Sequence, residues 1–423
     1  MSAFKVAGFV LALIIVAQYT GWAVFDQAAA AMIVLLAVSF LWSRWSLRGI
    51  SFERRLLSDR VTVGEELHET LRLSNRSWMP KLWMEVWDFS TLAGYRANRI
   101  LQVGGRASRT WNVSTVCLER GAFRLGPVTL RSGDPLGLFP RRKTLPIGHV
   151  VLVYPAILDV SAYRLPVSVL SGGRITSGKH PMETSTISGV RDYSAGDPLN
   201  RISWAATARG GRLMTKEFDL DPTADVWILV DLDYSQHSPA TYATGHPARR
   251  EPAAPWLDST EEYAVTIAAS LAKRCLDEGR VVGMIATGKH LEVLPPDRAE
   301  RQYIKILESL ALERADGMLP LAECLTIEAR RFNRQSTLLV VTASASDEWV
   351  KPLVEATRRG IRASVILIEQ DTFSPAPSSL MVVSALTSME IPVALVKHGD
   401  AIETALSTGP LETSRGSDRY VHG

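Results

Sequence analysis

Two long uncharged segments lie near the start of the chain. The first extends from Val6 to Phe25 and the second from Ala28 to Trp42, with Asp26 and Gln27 between them. Each has the length of a helix that crosses the hydrocarbon core of a bilayer, roughly 20 residues with its interfacial ends. We therefore predict a transmembrane helical hairpin over residues 1–45. A signal peptide is disfavoured because a second uncharged segment follows at once. The remaining alternative is a buried hairpin of a soluble protein.

Basic residues flank this hairpin on one side. Lys5 precedes it, the connection carries Asp26, and Arg44, Arg48, Arg54 and Arg55 follow it. Because lysine and arginine remain in the cytoplasm, both ends of the hairpin are predicted to be cytoplasmic. The expected location is the cytoplasmic (inner) membrane, with two passes and with the soluble domains in the cytoplasm.

The pattern changes to short segments of alternating apolar and polar residues over residues 51–160. Examples are RVTVGEELHETLRLSN and SRTWNVSTVCL, and pairs such as Val63-Gly64 and Gly104-Gly105 mark turns between them. Period-two segments with frequent turns predict an antiparallel β-sandwich. The segment shows no cluster of His, Asp or Cys at ligand spacing, so we expect a structural or binding module.

A second regular pattern covers residues 225–408. Apolar runs such as VWILVD and STLLVVTAS alternate with amphipathic runs such as EEYAVTIAASLAKRCLDEG. Buried strands separated by amphipathic helices predict a doubly wound α/β domain with a mainly parallel sheet. Residues 161–224 form a connection and a charged segment between the two domains, and the polar tail, residues 409–423, is expected to be disordered.

Composition narrows the functional classes. The 423 residues carry a formal net charge of +3, which is far below the concentrated charge of a nucleic-acid-binding protein. The three cysteines, Cys117, Cys275 and Cys324, are far apart and odd in number, so they cannot form a closed disulfide framework. A reducing compartment fits this composition, in agreement with the predicted cytoplasmic domains.

The charged segment 189–219 has little apolar periodicity, so burial alone does not explain it. Its candidate binding residues are Arg191, Asp192, Tyr193, Gly196, Asp197, Arg201, Trp204, Arg209 and Glu217. One hypothesis is a surface that binds a partner or ligand; the other is an ion-paired network that packs the sandwich against the sheet. Trp204 is expected to be a packing anchor.

The strand VWILV is followed by Asp231, Asp233 and Ser235, at the sheet edge where open α/β domains bind ligands. Oxygen ligands of this kind suit Mg²⁺. Alternatively, Asp231 is a nucleophile and Asp233 an acid and base, as in the first motif of haloacid-dehalogenase-type phosphatases. Thr342 and Lys397 are the candidate partners in that mechanism, but no acidic pair for Mg²⁺ follows a later strand.

The charged segment resembles the signature of a bacterial family called domain of unknown function fifty-eight. The resemblance is carried by Arg191-Asp192-Tyr193, Gly196-Asp197-Pro198, Arg201-Ile202, Trp204, Ala208-Arg209 and Lys216-Glu217-Phe218. It implies a membrane hairpin, a β-rich module and a von Willebrand factor A-like domain. It also implies a MoxR-type AAA+ ATPase as a partner, and the family has no established enzymatic activity.

The same resemblance implies a degenerate metal site. Active von Willebrand A sites have Asp-x-Ser-x-Ser, a later Thr and a later Asp, whereas this chain has Asp233 for the first Ser, and Met318 and Ser344 where the other two are sought. We expect no cofactor and at most weak binding of Mg²⁺. The predicted function is a membrane-anchored, non-enzymatic protein-interaction module or scaffold. The alternative is a Mg-dependent phosphatase, and nucleic acid is not an expected partner.

Overall fold

The computed structural model describes residues 2–165, 187–193, 202–218, 225–238, 253–334 and 336–407. Within these ranges, residues 2–3, 187–189, 191–192 and 216–218 are described by their backbone alone. The tail that we expected to be disordered, residues 409–423, lies outside the described residues. The described part contains an N-terminal apolar helix pair and several β-sheets with helices, which confirms the expected multidomain organisation.

Two helices open the chain, α1 (Ser2–Thr20) and α2 (Ala23–Ser46), and they pack against each other. The break between them lies at Gly21, not at Asp26 and Gln27 as the charge pattern predicted. Gly21 adopts a φ of +66°, and its N–H donates to the carbonyl of Ala17 at 2.9 Å. A left-handed glycine ends a helix readily because it has no Cβ, whereas Asp26 is tolerated in the first turn of α2.

Of the described helices, α2 is long and apolar enough to cross a membrane, and the apolar helix Phe4–Thr20 is shorter. Most of the apolar part of α2 is exposed, since 11% of it is buried by the rest of the protein. Its exposed apolar surface is therefore not explained by packing within a soluble core.

Nine strands form two facing sheets directly after α2. The strands are β1 (Ile50–Leu56), β2 (Arg60–Thr62), β3 (Glu66–Asn75), β4 (Lys81–Ser90), β5 (Arg99–Val103), β6 (Ser108–Val116), β7 (Gly121–Ser132), β8 (Arg141–Leu145) and β9 (His149–Tyr154). One sheet has the order β1-β3-β6 and the other the order β2-β9-β7-β4-β5, with β8 also paired to β7. Strand pairs are antiparallel with one departure among those described: the three-residue strand β2 is parallel to β9.

Alternate residues of these strands face a common core. In β3, Leu67, Leu71 and Leu73 are buried, and Leu71 and Leu73 pack with Met84 of β4 and Leu130 of β7 in the other sheet. A period-two pattern places one face of each strand inward, so the two sheets form the β-sandwich.

The sandwich contacts the C-terminal end of α2. The ammonium of Lys81, which is 2% exposed, donates to the carbonyl of Trp45 at 2.8 Å. The last carbonyls of a helix have no partner within the helix, so Lys81 supplies one. Its positive charge also interacts favourably with the negative end of the helix dipole. Desolvation lowers the pKa of Lys81. The ring of Phe139, in the β7–β8 connection, lies edge-on to Phe40 with centroids 5.6 Å apart.

A small antiparallel hairpin follows, formed by β10 (Ile187–Asp192) and β11 (Met214–Phe218), with the short helix α3 (Trp204–Gly210) between them. A six-stranded sheet comes next. Its strands are β12 (Val226–Val230), β13 (Val282–Thr287), β14 (Leu291–Asp297), β15 (Thr337–Thr342), β16 (Arg362–Ile368) and β17 (Val393–Val396). The order is β14-β13-β12-β15-β16-β17, and β14 alone among them is antiparallel to its neighbour.

Helices cover both faces of this sheet. They are α4 (Thr260–Asp277), α5 (Glu300–Leu312), α6 (Leu321–Glu328), α7 (Val350–Arg358), α8 (Leu380–Ser388) and α9 (Ile402–Ser407). α4, α5 and α9 pack with one face through residues such as Ile228 and Val341, and α6, α7 and α8 pack with the other through Leu229 and Val340. All five residues of β12 are buried, which requires helices on both sides.

One arginine joins the sandwich to the α/β domain. Arg120, immediately before β7, is fully buried, and its guanidinium donates to the carbonyls of Leu310 at 3.0 Å and Glu313 at 2.9 Å. It also pairs with the carboxylates of Glu261 and Glu262 at the start of α4. Burial raises the pKa of Glu262, and the charge of Arg120 opposes that increase.

Replacement of Arg120 should lower the stability of the folded protein. We expect Arg120→Ala to lower the free energy of unfolding by about 3 kcal/mol, since a buried ion pair that loses one partner leaves the other charge uncompensated. Arg124→Ala, at an exposed position on β7, is the matched control and should change stability by less than about 0.5 kcal/mol. Denaturant unfolding of the full chain in detergent measures both. Equal effects of the two variants would contradict the role assigned to Arg120.

Candidate functional site

The candidate site lies at the carboxyl edge of the six-stranded sheet. Asp231 follows β12 directly, and its carboxyl group is fully buried. The neighbouring strand β15 ends at Thr342, beside it. In this strand order the connections reverse direction between β12 and β15, which is the position where open α/β sheets bind ligands.

Three donors hold the Asp231 carboxyl group. The hydroxyl of Thr342 donates to Oδ2 at 2.6 Å, and the N–H of Asp233 and the hydroxyl of Thr287 donate to Oδ1 at 3.2 and 3.4 Å. Each threonine hydroxyl also accepts a backbone N–H at 2.9 Å, from Ser344 for Thr342 and from Leu232 for Thr287. Because these N–H groups occupy the acceptor side of the hydroxyls, the hydroxyl proton of Thr342 is directed to Asp231. The proton of Thr287 is shared between Asp231 Oδ1 at 3.4 Å and the carbonyl of Val230 at 3.5 Å.

The electrostatics of Asp231 reflect this enclosure. Burial raises the pKa of Asp231, because a low dielectric disfavours the charged form, while the nearby His237 and the hydrogen bond from Thr342 act in the opposite direction. The imidazole Nε2 of His237 lies 2.6 Å from the carbonyl oxygen of Asp231, and Nδ1 lies 3.0 Å from the hydroxyl of Thr260. A carbonyl can only accept, so Nε2 carries the proton in this arrangement.

The other two predicted metal ligands bind each other. The Oδ1 atom of Asp233 accepts both the N–H and the hydroxyl of Ser235 at 3.0 Å and so caps the short turn Tyr234–Gln236. The structure therefore brings Asp231, Asp233 and Ser235 together, as the spacing suggested, and engages both carboxyl oxygens of Asp231, Oδ1 of Asp233 and the hydroxyl of Ser235 in internal hydrogen bonds. Within the described ranges, no group of three or more His, Cys, Asp or Glu side chains is arranged to hold a metal ion.

A glycine brings a second loop against the site. Gly317 pairs with Asp233, and its carbonyl accepts the N–H of Tyr234 at 2.9 Å. A Cβ at this position would lie 1.9 Å from the carbonyl oxygen of Thr287, so no larger residue fits there. The adjacent Met318 side chain is 92% exposed, and Tyr234 is 73% exposed. The loop where a ligating Thr was sought therefore presents a thioether to the surface.

The signature residues are only partly described. Arg191 and Asp192 lie on β10 and Glu217 on β11, where the backbone alone is described, and Tyr193 is half-buried at the end of β10. Gly196, Asp197 and Arg201 lie outside the described residues. Trp204 and Arg209 lie on α3, and both side chains are exposed. Trp204 is 68% exposed with respect to the described chain, so the expectation that it is a packing anchor is not supported.

Several site residues were not predicted from the sequence. Thr287 and His237 were not singled out, and Thr342 was considered as a catalytic partner, not as a hydrogen-bond donor to a structural carboxyl group. Thr287 and Thr342 each end an apolar run on a strand next to β12, and this position is a usable signal. His237 follows Asp231 by six residues in the same loop.

The fold and site define an open α/β domain with a buried carboxyl group at the reversal of strand order, attached to a β-sandwich and to an apolar helix pair. Residues 189–377 match the family model described as "Protein of unknown function DUF58". This match confirms the family resemblance that the signature predicted.

A curated relative supports the same resemblance over more of the chain. The "Uncharacterized protein YeaD" of Bacillus subtilis (strain 168) is 23% identical over 367 residues, which cover 85% of this chain and 86% of the relative. Solved structures are more distant. The CARDB domain of the PF1109 protein from Pyrococcus furiosus matches 25% of this chain and 86% of its own, at 11% identity and a TM-score of 0.19. The pilus adhesin SpaC from Lactobacillus rhamnosus GG matches 46% and 31%, at 10% identity and a TM-score of 0.32. Both TM-scores are too low to support a structural argument.

The hydroxyl of Thr342 provides a test of the site. We expect Thr342→Val to lower the free energy of unfolding by about 1–3 kcal/mol, because a buried carboxyl oxygen loses its donor. The Asp231 carboxylate also loses a hydrogen bond that stabilises its charged form, so the pKa of Asp231 should rise further. When the pKa of a carboxyl group is higher in the folded than in the unfolded protein, the free energy of unfolding falls as the pH rises through the folded-state pKa. The stability deficit of Thr342→Val should therefore grow with pH. Thr342→Ser retains the hydroxyl and should be nearly neutral. A deficit independent of pH would contradict this role.

Proposed function

We propose that this protein is a membrane-anchored, cytosol-facing interaction module whose von Willebrand A-like domain and signature segment form a docking surface. We further propose that a MoxR-type AAA+ ATPase is its partner. The von Willebrand A-like assignment draws on the family resemblance, on the order of the six strands and on the position of Asp231 at their carboxyl edge. The proposed partner rests on the family resemblance.

The observation that carries the proposal is the exposed apolar surface at the candidate site. Tyr234 and Met318 project from two loops that the Asp233–Gly317 bridge holds together, and they are 73% and 92% exposed. Aromatic and methionine side chains are enriched at protein interfaces, which supports a binding role for these two side chains. The two hydrogen bonds between Gly317 and the first loop keep this surface in one arrangement.

The hydrogen bonds of Asp231 support a non-enzymatic role. A phosphoryl-accepting carboxylate must reach its substrate in the charged form, whereas Asp231 is fully buried, has a raised pKa and accepts three internal hydrogen bonds. The candidate Lys397 follows β17, two strands away from β15, and pairs with Glu369 at 3.4 Å. These contacts favour a protein-interaction role over the alternative function, a Mg-dependent phosphatase.

The proposed topology has two transmembrane helices and both ends in the cytoplasm. The apolar surface of α2 and the apolar run in α1 support it, as do the basic residues Arg44 and Arg48 at the end of α2. Arg54 supports the orientation less than the sequence suggested, because it is buried in the sandwich and paired with Glu69 and Asp88.

Magnesium should affect this protein little. Because both Asp231 carboxyl oxygens and Oδ1 of Asp233 already accept internal hydrogen bonds, and Mg²⁺ releases water reluctantly, we expect thermal melts of the full chain in EDTA and in millimolar Mg²⁺ to differ by less than about 2 °C. Phosphate-ester hydrolysis should stay at background in both conditions. A rise of many degrees that Asp231→Ala abolishes, or hydrolysis that Asp231→Asn abolishes, would overturn the proposed non-enzymatic role.

The docking surface is tested with two double variants. We expect Tyr234→Ser with Met318→Ser to weaken binding of the purified MoxR-type ATPase of the same organism by about tenfold or more, which corresponds to about 1.4 kcal/mol. The matched control is Leu380→Ser with Met381→Ser on α8, where the two side chains are 70% and 74% exposed. Biolayer interferometry with the full chain in detergent measures both. No binding by the unchanged protein, or equal losses in both variants, would contradict the proposal.

A further inference from the structure

A groove lies between the end of α2 and the β7–β8 connection. Its volume is about 850 Å³, and we call it the α2–β8 groove. Aromatic rings of Phe40 and Phe139 line one part, in edge-on contact. Five basic residues line the rest, two from α2 and its C-terminal end and three from β8: Arg44, Arg48, Arg141, Arg142 and Lys143.

The loop that forms one wall of this groove is held in place by buried polar contacts. Asp134 is fully buried, and its carboxylate accepts the N–H groups of Leu136 at 3.1 Å, Leu138 at 3.2 Å and Phe139 at 2.6 Å. The hydroxyl of Ser43 on α2 donates to the carbonyl of Phe139 at 2.5 Å. These hydrogen bonds therefore fix the loop to the sandwich and to α2 and define the shape of the groove.

The charge of the groove is unbalanced. None of the residues that line it is acidic, and within the described residues none of its five cations forms an ion pair. Five like charges around one concave surface repel one another, and an anion bound between them relieves that repulsion. The site thus combines concentrated positive charge with an adjacent aromatic surface.

We propose that the α2–β8 groove binds the headgroup of an anionic phospholipid from the cytoplasmic leaflet, with the acyl chains beside Phe40. This inference rests on the proposed membrane topology, in which the end of α2 lies at the cytoplasmic interface. Basic residues immediately after a membrane helix attract anionic lipids, and each lysine or arginine near the surface adds to that attraction. The phosphate meets the arginines, and the apolar part of the lipid meets the aromatic wall.

Short-chain lipids test this site on the full chain in a neutral detergent. We expect dioctanoyl phosphatidylglycerol to raise the melting temperature saturably by a few degrees, and phosphatidylcholine of the same chain length to have little effect. The triple variant Arg141→Gln, Arg142→Gln and Lys143→Gln should bind phosphatidylglycerol at least about tenfold more weakly, as expected from the loss of three interfacial charges. Arg44→Gln, on the helix side of the groove, should give a smaller loss in the same direction.

A matched control removes the same charge elsewhere. Lys351→Gln with Arg358→Gln and Arg359→Gln, on and next to α7, should keep the response to phosphatidylglycerol. Equal losses in both triples, equal responses to the two lipids, or the same rise with inorganic phosphate alone would overturn the lipid site. Carbonate extraction and a reporter fused after Gly423 test the topology separately. If the chain is extracted by carbonate or the reporter is periplasmic, the proposed anchoring fails whatever the lipid titration gives.

Discussion

The buried guanidinium of Arg120 joins the two large units of this protein. It occupies a position between the sandwich and the α/β domain where two backbone carbonyls and two carboxylates converge, so all of its charge is compensated inside the protein. The segment after β9 reinforces this contact: Tyr163 is buried in the core of the α/β domain, and its hydroxyl lies 2.7 Å from that of Ser364. The sandwich and the α/β domain are therefore packed against each other as well as covalently linked.

Periodicity predicted most of the elements because most of them bury one face or both. The apolar run of β12 and the alternating run of β3 were readily assigned, since burial alone selects their residues. The sequence does not indicate β14, because Pro295 and Pro296 disfavour a strand, but an edge strand tolerates them where no neighbour needs their N–H groups. It does not indicate the apolar helix α8 either, which has no clear amphipathic period. The charged residue Asp26 suggests a helix break, whereas backbone conformation places the break at Gly21.

The candidate site was predicted in position but not in chemistry. The spacing of Asp231, Asp233 and Ser235 placed them at one strand end, whereas their partners come from residues distant in sequence, such as Thr287 and Thr342. The two hydroxyls reach the Asp231 carboxyl group, at 3.4 and 2.6 Å, because β13 and β15 flank β12 in the sheet, and strand pairing of that kind depends on tertiary structure. The exposure of Trp204 on α3 and of Met318 in its loop likewise depends on tertiary position, which hydrophobicity alone does not indicate.

Strand β7 has a mechanical consequence. Arg120 at its start is fixed to the α/β domain, and the connection at its far end touches α2 through Phe139. Its twelve residues span at most roughly 40 Å at about 3.4 Å each, and hydrogen bonds to β9 over its first half and to β4 and β8 over its second half hold it in the sheet. A force applied to the α/β domain at Arg120 therefore has a hydrogen-bonded route along one strand to the end of α2.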